Sequence, residues 1–565
     1  MTSFRLPNVV LCVAAAYAII GCSDRTVTAP RAIPVASYDD VGLDAGPDSG
    51  EAIAVSTDGP ADGGRVLRLA AVAAMPTIRV GVVQSASSLA LGSKQDYVVT
   101  DKANGLEIVR GSGDAVTITL DQAPKSFYRL QVMCASVTTV GQRKAAADAA
   151  GYKTLTEFVP TANCTRLYIG EFAPPPANTF AARTAFRNEL ITEGLAGTDS
   201  FWKVLALGNA LYRVTHGTTT VQSIDPIVVS SPTGFVTFND TTYRGKAEAR
   251  VNSSGTLAGI NELPLEQYLY GVVPRELGPV AFPLLEAQKA QAVAARTYAI
   301  ANIGRRASDG YDLRATTDDQ VYGGYTAEYP LSNRAVDETA GIVATYGGKP
   351  IDALYSSTSG GHTADNEESF SGTPVPYLRG VPDAERGEAF DHVPSLSVFM
   401  SHANPISLRA QREGDAESDW SRYHRWTFDW TLAELSAVLS ASAGQPVGTV
   451  SAINVLSRGP SGRVLSIAFV TDVGTFTVEK GAIRTFLKYL DAAGKQTALP
   501  STLFYLEPIV DRASQAVTGY RIYGGGFGHG VGLSQTGAVG LAQQGQDFAR
   551  ILAHYYQGID LTRQY

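Results

Sequence analysis

The spacing of apolar positions changes repeatedly along this chain, and each change predicts a different kind of element. Residues 9–20 form an unbroken apolar run. From 23 to 75 the sequence is rich in Ala, Asp, Gly, Pro and Ser, with too little apolar surface to support a core. Short β-branched runs then appear at 77–83, 96–100, 106–109 and 116–120 and predict a small antiparallel sheet. Across 126–205 the pattern alternates. It predicts a strand at 127–132, an Ala-rich helix at 140–150 stopped by Gly151, a strand at 165–172, a helix at 179–192 and a strand at 202–205. Strands resume at 212–215, 234–238 and 247–251, and helices and loops dominate 265–346. Beyond these lie a strand at 426–430, a helix at 432–440, strands at 450–456 and 463–469, and a helix near 481–490. The tail is a glycine-rich loop and two helices. The predicted class is α+β.

Composition narrows the picture. A chain of 565 residues, 44% hydrophobic and 18% charged, has room for two or three domains with proper cores. A net charge of −8 argues against nucleic acid or anionic lipid as a partner. The 56 glycines and 26 tyrosines fit a loop-rich and strand-rich exported protein that handles sugars.

Arg5 followed by the apolar run is a targeting segment, too short to span a bilayer comfortably. It ends in Ile19-Ile20-Gly21-Cys22, which resembles a bacterial lipobox. Residues 1–22 then read as a lipoprotein signal peptide with Cys22 as the lipidated residue. An ordinary secretory signal with an incidental cysteine is the alternative. Residues 23–75 read as a disordered tether with a reach of roughly 40 Å. Ser23, in place of the Asp that marks inner-membrane retention in enterobacteria, favours the periplasmic face of the outer membrane in a Gram-negative cell. Export leaves Cys134 and Cys164 in an oxidising compartment, where one disulfide is expected; two free buried thiols are the other reading. No cysteines remain for a Cys-rich zinc site.

Two family resemblances follow. The Tyr128-Arg129-Leu130-Gln131-Val132 and Arg166-Leu167-Tyr168-Ile169-Gly170 strands, in a βαβαβ order, look like a SPOR-type repeat over 126–205. That resemblance implies binding to peptidoglycan glycans stripped of stem peptides; an unrelated small α+β insert is the alternative. The second resemblance is to the stage II sporulation protein D (SpoIID/LytB) family. It rests on several segments in order: residues 264–271, Pro274-Arg275-Glu276-Leu277, the Lys289-to-Ala299 helix, Gln320-Val321-Tyr322-Gly323-Gly324, Thr339-Ala340-Gly341, residues 356–363, and the glycine-rich 526–538. It covers roughly 226–383 and 420–565 and implies a SpoIID-type mixed core, with a β-rich start at 76–125 and a catalytic domain at 206–565. Leu277 and Leu533 replace methionines. Asp319 stands where some relatives carry a Cys tied to zinc, and Thr536 replaces a Trp.

This second resemblance implies a lytic transglycosylase acting on stem-peptide-free glycan strands after N-acetylmuramic acid. No metal and no cofactor are implied. Glu276 is the expected catalytic acid, placed at a strand or loop end. It needs an apolar surround that keeps it protonated near neutral pH, and Val272, Val273, Pro274 and Leu277 are the candidates to supply one. Lys289 and Arg296, seven apart and so on one helical stripe, are expected to bind substrate rather than touch the acid. Tyr298 and Tyr322 pack under sugars or in the core. Gln320, Ser359, Gly360, Gly361, Thr363 and Gln535 are assigned to substrate. His529 is either a cleft residue or a structural one, and Ser534 is either a helix cap or a sugar ligand. The glycines around His529 are expected to bring backbone amides close to a ligand. Two rival functions remain. One is a non-catalytic wall-binding protein that enhances an amidase, which would make that amidase a partner. The other is a metallo-amidase using His362, His529 and His554, which no HExxH spacing supports. Residues 384–419 form a polar stretch with no assigned role.

Overall fold

The computed structural model describes residues 68–69, 74–159, 163–173, 179–370, 372–383, 395–401, 421–491 and 493–565. The expected signal peptide, Cys22 and nearly all of the expected tether lie outside the described residues. Among the described residues, no helix is long and apolar enough to cross a membrane.

Two antiparallel-rich sheets begin the folded chain. The larger orders its strands Leu313–Arg314, Thr77–Ala86, Leu257–Pro264, Lys246–Val251, Ile227–Ser230, Asp96–Asp101 and Glu107–Ser112. The second runs Thr219–Ser223, Leu211–His216, Ala115–Gln122, Ser88–Gly92, Phe235–Phe238 and Thr241–Arg244. Alternate residues of both sheets, among them Leu91, Val99, Val116, Ile118, Val214, Ile227 and Val236, bury into one shared core. The period-2 pattern read in the sequence is the inward face of these sheets.

Residues 125–207 leave and return through neighbouring strands. Ala115–Gln122 pairs with Leu211–His216, while just beyond them Lys125–Ala135 pairs with Phe201–Leu207. The excursion carries its own sheet in the order Phe201–Leu207, Lys125–Ala135, Cys164–Phe172, Thr154–Val159. Helices Val137–Ala149 and Phe180–Thr192 are capped by the Ser136 and Thr179 hydroxyls, which accept the Thr139 and Ala182 amide protons. The order is therefore βαββαβ, one strand more than the expected βαβαβ. Thr154–Val159 escapes a hydrophobic reading because half of its residues are exposed, none is buried, and polar residues interrupt its apolar ones. Cys134 and Cys164 are joined in a disulfide that links the first strand to Cys164–Phe172.

The helical heart follows. Leu265–Glu276 begins directly after its strand and carries Pro274 inside its last turn, where the missing N–H forfeits one hydrogen bond to the preceding turn. Leu285–Ala301 is Ala-rich and buried nearly all round, because Ala combines the highest helix propensity with a side chain small enough for close packing. Around it pack Pro330–Glu338, Gln535–Gln543 and Phe548–Tyr555, joined by Val272, Val273, Val293, Val336, Leu541 and Ile551 in one cluster. Both expected tail helices are present.

A further cluster lies within 421–524. Sheets Trp426–Thr431/Val517–Gly524/Phe504–Val510 and Val450–Arg458/Val464–Thr471/Gly474–Glu479 enclose Trp430, Val450, Ile467, Phe469 and Ile522 with helix Leu432–Ala443. The expected helix near 481–490 is shorter, Ala482–Phe486, and gives way to a strand at Lys488–Leu490. The molecule is α+β, as the sequence pattern predicts.

Candidate functional site

Glu276 is the last residue of helix Leu265–Glu276, not the end of a strand or loop. At a helix C-terminus the backbone carbonyls disfavour a negative charge. One carboxylate oxygen, Oε1, accepts the Val321 amide proton at 2.6 Å. The other, Oε2, lies 3.4 Å from Gln535 Nε2, on a helix reached only 259 residues later. Tyr355 also hydrogen-bonds the carboxyl. Burial pushes the Glu276 carboxyl up to about 7, against the opposing pull of Val321, Gln535 and Tyr355. Its immediate partners are all neutral.

A second layer holds those partners. Gln320, fully buried, donates to the Tyr355 hydroxyl at 3.0 Å and to Ala295 O at 3.2 Å, and accepts from the Tyr268 hydroxyl at 3.1 Å. Tyr322 lies against Tyr268 with ring centroids 4.9 Å apart and donates to Asn261 at 2.8 Å. Gly271 is required here, since a Cβ would sit 2.6 Å from the Tyr322 ring. The Gln320-to-Gly324 segment is thereby pinned to the helix that ends in Glu276, which aims the Val321 N–H. Burial and the nearby Glu276 carboxyl hold the Tyr355 hydroxyl far above its ordinary value, so it stays protonated.

Comparisons with known proteins place the chain among relatives. The family model "Stage II sporulation protein" matches residues 253–346, and a domain of unknown function (DUF8618) matches 364–532. An uncharacterized protein of Brachyspira hyodysenteriae is 31% identical over 337 residues, covering 60% of this chain and 76% of that protein. Stage II sporulation protein D of Bacillus amyloliquefaciens is 29% identical over 318 residues, covering 54% of this chain and 75% of that one. The amidase enhancer of Bacillus subtilis is 30% identical over 307 residues, 52% of this chain and 40% of the relative's own length. The chain belongs to the Stage II sporulation protein D family. The excursion at 125–207 lies outside both matched regions.

In this member of the Stage II sporulation protein D family, the expected residues divide into two groups. Glu276, Gln320 and Gln535 meet in one place. Ser534 caps helix Gln535–Gln543, its hydroxyl accepting from Gly537 N and Ser359 N at 3.2 Å each. The remaining residues assigned to substrate make contacts within the protein itself. Arg296 is fully buried, gripping Glu266 through Nε at 2.7 Å and Nη2 at 2.6 Å, and donates to the Val336 and Ile342 carbonyls. Gly341 N and Tyr565 OH complete the Glu266 shell, at 3.2 and 2.6 Å, so the Thr339-Ala340-Gly341 turn serves a buried ion pair. Lys289 pairs with Glu286 at 2.9 Å and Glu338 at 2.7 Å. The cationic stripe exists, and it faces helix Pro330–Glu338.

Tyr298 and Tyr322 are core residues. Tyr298 donates to Asp319 at 3.2 Å, and Asp319 accepts from Arg306 Nε at 2.6 Å and Arg314 N at 2.9 Å. Ser359 is fully buried and donates to Asp383 at 2.9 Å; Gly360, Gly361 and Thr363 are buried beside it. The glycines of the tail approach other parts of the protein closely. A Cβ on Gly526 would meet Thr358 O and Ser359 O at 2.9 and 2.8 Å, and one on Gly528 would meet Ser356 Cβ at 2.7 Å. Thr358 and Phe527 exchange backbone hydrogen bonds at 2.9 and 3.1 Å. His529 Nδ1 accepts from Val531 N at 3.0 Å, and burial, with Arg484 and Arg463 adding to it, pushes the imidazole down to about 4. His362 Nδ1 and His554 Nε2 are engaged with the Thr363 and Pro382 carbonyls, so the three histidines form no ligand set; among the described residues no His, Cys, Asp and Glu group has metal-holding geometry. Tyr355, Gln291 and the Val321 amide were not singled out by sequence. Gln291 lies inside the recognised Ala-rich helix segment, and only its i, i+3 and i+4 neighbours on one face signalled burial.

Proposed function

We propose that this protein is a cell-wall enzyme, a lytic transglycosylase that cleaves stem-peptide-free glycan strands after N-acetylmuramic acid. Glu276 gives its proton to the glycosidic oxygen as the C1–O bond breaks. The carboxylate then takes the proton of the sugar's own C6 hydroxyl as that oxygen closes on C1, which yields a 1,6-anhydro end and restores the acid. One carboxyl serves both steps, unlike the paired carboxylates of ordinary glycosidases. The observation that carries the reading is a carboxyl raised to about 7, fixed by one backbone N–H and surrounded by neutral amides and tyrosines. A group so poised is half-protonated at the pH of the periplasm or cell surface, which suits a residue that must both donate and accept.

The excursion at 125–207 would direct the enzyme to stripped strands, Cys22 would carry a lipid anchor, and the envelope would be its site of action. A non-catalytic amidase enhancer is the second reading, favoured by the relative of that name. The test is digestion of amidase-treated and untreated murein, with products read by mass spectrometry. Anhydro ends from treated murein with the wild type, and none with Glu276→Gln, are expected. Equal products from both proteins would remove Glu276 from the chemistry. No products from either, with faster murein release by an added amidase, would establish the second reading.

A further inference from the structure

Beside Glu276, two glutamine side chains are arranged in a way the acid's chemistry alone does not require. Gln535 Nε2 is shared between Glu276 Oε2 at 3.4 Å and Gln291 Oε1 at 3.3 Å. Gln291 is fully buried, and among the described residues its Nε2 has no hydrogen-bond partner. A buried N–H without an acceptor is rare, rarer than a buried carbonyl without a donor.

The arrangement favours the charged form of Glu276. A carboxylate accepts, so Gln535 must present N–H to it. A carboxylic acid has an O–H to place, and an N–H opposite it is a clash of donors. A primary amide is nearly symmetric in shape, so a half-turn of its terminal torsion exchanges oxygen for nitrogen with little change in packing. If Gln535 turned alone, its oxygen would face the oxygen of Gln291. If both turn, Gln535 Oε1 accepts from the Glu276 O–H and from Gln291 Nε2, and the stranded donor gains its acceptor. The group left without a partner is then a carbonyl.

We infer that Gln291 and Gln535 turn together as Glu276 gains and loses its proton, so that the carboxyl is held in the same place in both states. Gln291 is a positioning residue that acts through Gln535. The remaining groups around the carboxyl suit this role: Val321 N–H donates to Oε1 in either state, and Tyr355 and Tyr268 stay protonated. The use of this pair in catalysis rests on the acid-then-base cycle proposed above. The coupling itself does not.

Two measurements test it. In protein carrying 15N-labelled glutamine, the side-chain amide signals of Gln291 and Gln535 are followed from pH 5 to pH 9 beside the Glu276 carboxyl carbon. All three are expected to titrate with one midpoint, and the amide changes are expected to vanish in Glu276→Gln. Amide signals that stay flat while Glu276 titrates, or that titrate unchanged in Glu276→Gln, overturn the inference. The second measurement uses Gln291→Met, which conserves volume. Its pH–rate limb is expected to move by half a unit or more, with kcat reduced several-fold and KM little changed. A lowered Tm with an unmoved pH profile would mean packing only and would also overturn it. If the wild type cleaves no murein, the proposed activity falls while the amide titration still decides the coupling.

Discussion

At the scale of single residues, Glu276 is costly to the fold. Its carboxyl is held near 7 in the native protein and returns to the ordinary range near 4.5 when unfolded. Between those values the folded state binds a proton that the unfolded state does not, so stability falls as pH rises from about 4.5 to about 7 and is level beyond. Glu276→Gln removes that penalty. We expect the variant to match the wild type at pH 4.5 and to exceed it at pH 8 by about 1–3 kcal/mol, a range lowered for partial exposure of the side chain. Urea titration at both values checks it; a variant less stable than wild type at pH 8 would contradict the assigned shift. On the proposed mechanism the same ionisation sets activity: the rate should decline as pH rises through about 7, and a basic limb elsewhere would point to a different acid.

At the scale of elements, the glycine-rich tail is a packing device. Gly528 has φ +113°, a conformation closed to L side chains, and a Cβ there would lie 2.7 Å from Ser356 Cβ. Gly105 has φ +70° but open space around it. Ala at Gly105 should cost about 1 kcal/mol, and Ala at Gly528 about 3 kcal/mol or more, because steric overlap adds to backbone strain. Thermal denaturation of the two variants separates strain from overlap, and equal losses would mean that the 356–359 backbone yields. This contrast also marks how much was legible in the sequence. The Ala-rich helix and the sheet strands could be read, because apolar spacing fixes them; the motifs singled out Glu276 but put it at a strand or loop end rather than a helix end. Arg296 could not, since a charged residue in a recognised segment looks the same whether it meets a sugar or a buried Glu266. Nor could Tyr355 or the Val321 amide, whose roles arise only when segments distant in sequence are folded onto one helix end. The Thr154–Val159 strand was hidden because none of its side chains is buried, while its backbone pairs with Cys164–Phe172.

At the scale of the whole molecule, the excursion at 125–207 is joined to the two-sheet body by adjacent strands, and its core is separate from the others. Replacing it by a short turn between Gln122 and Leu211 should leave the body folded, with its Tm changed by no more than about 4 °C. It should weaken retention on stripped murein while sparing cleavage of short soluble strands. Collapse of the body would mean that the two parts fold as one. Unchanged retention would take the targeting role away from the excursion.

The 259 residues separating Glu276 from Gln535 have a consequence for timing. A growing chain that has not yet delivered helix Gln535–Gln543 has Glu276 but not the Gln535 amide beside it. On the proposed reading, a chain halted before that helix would carry the acid without the neighbour that completes its surround, and so would lack the activity of the full fold.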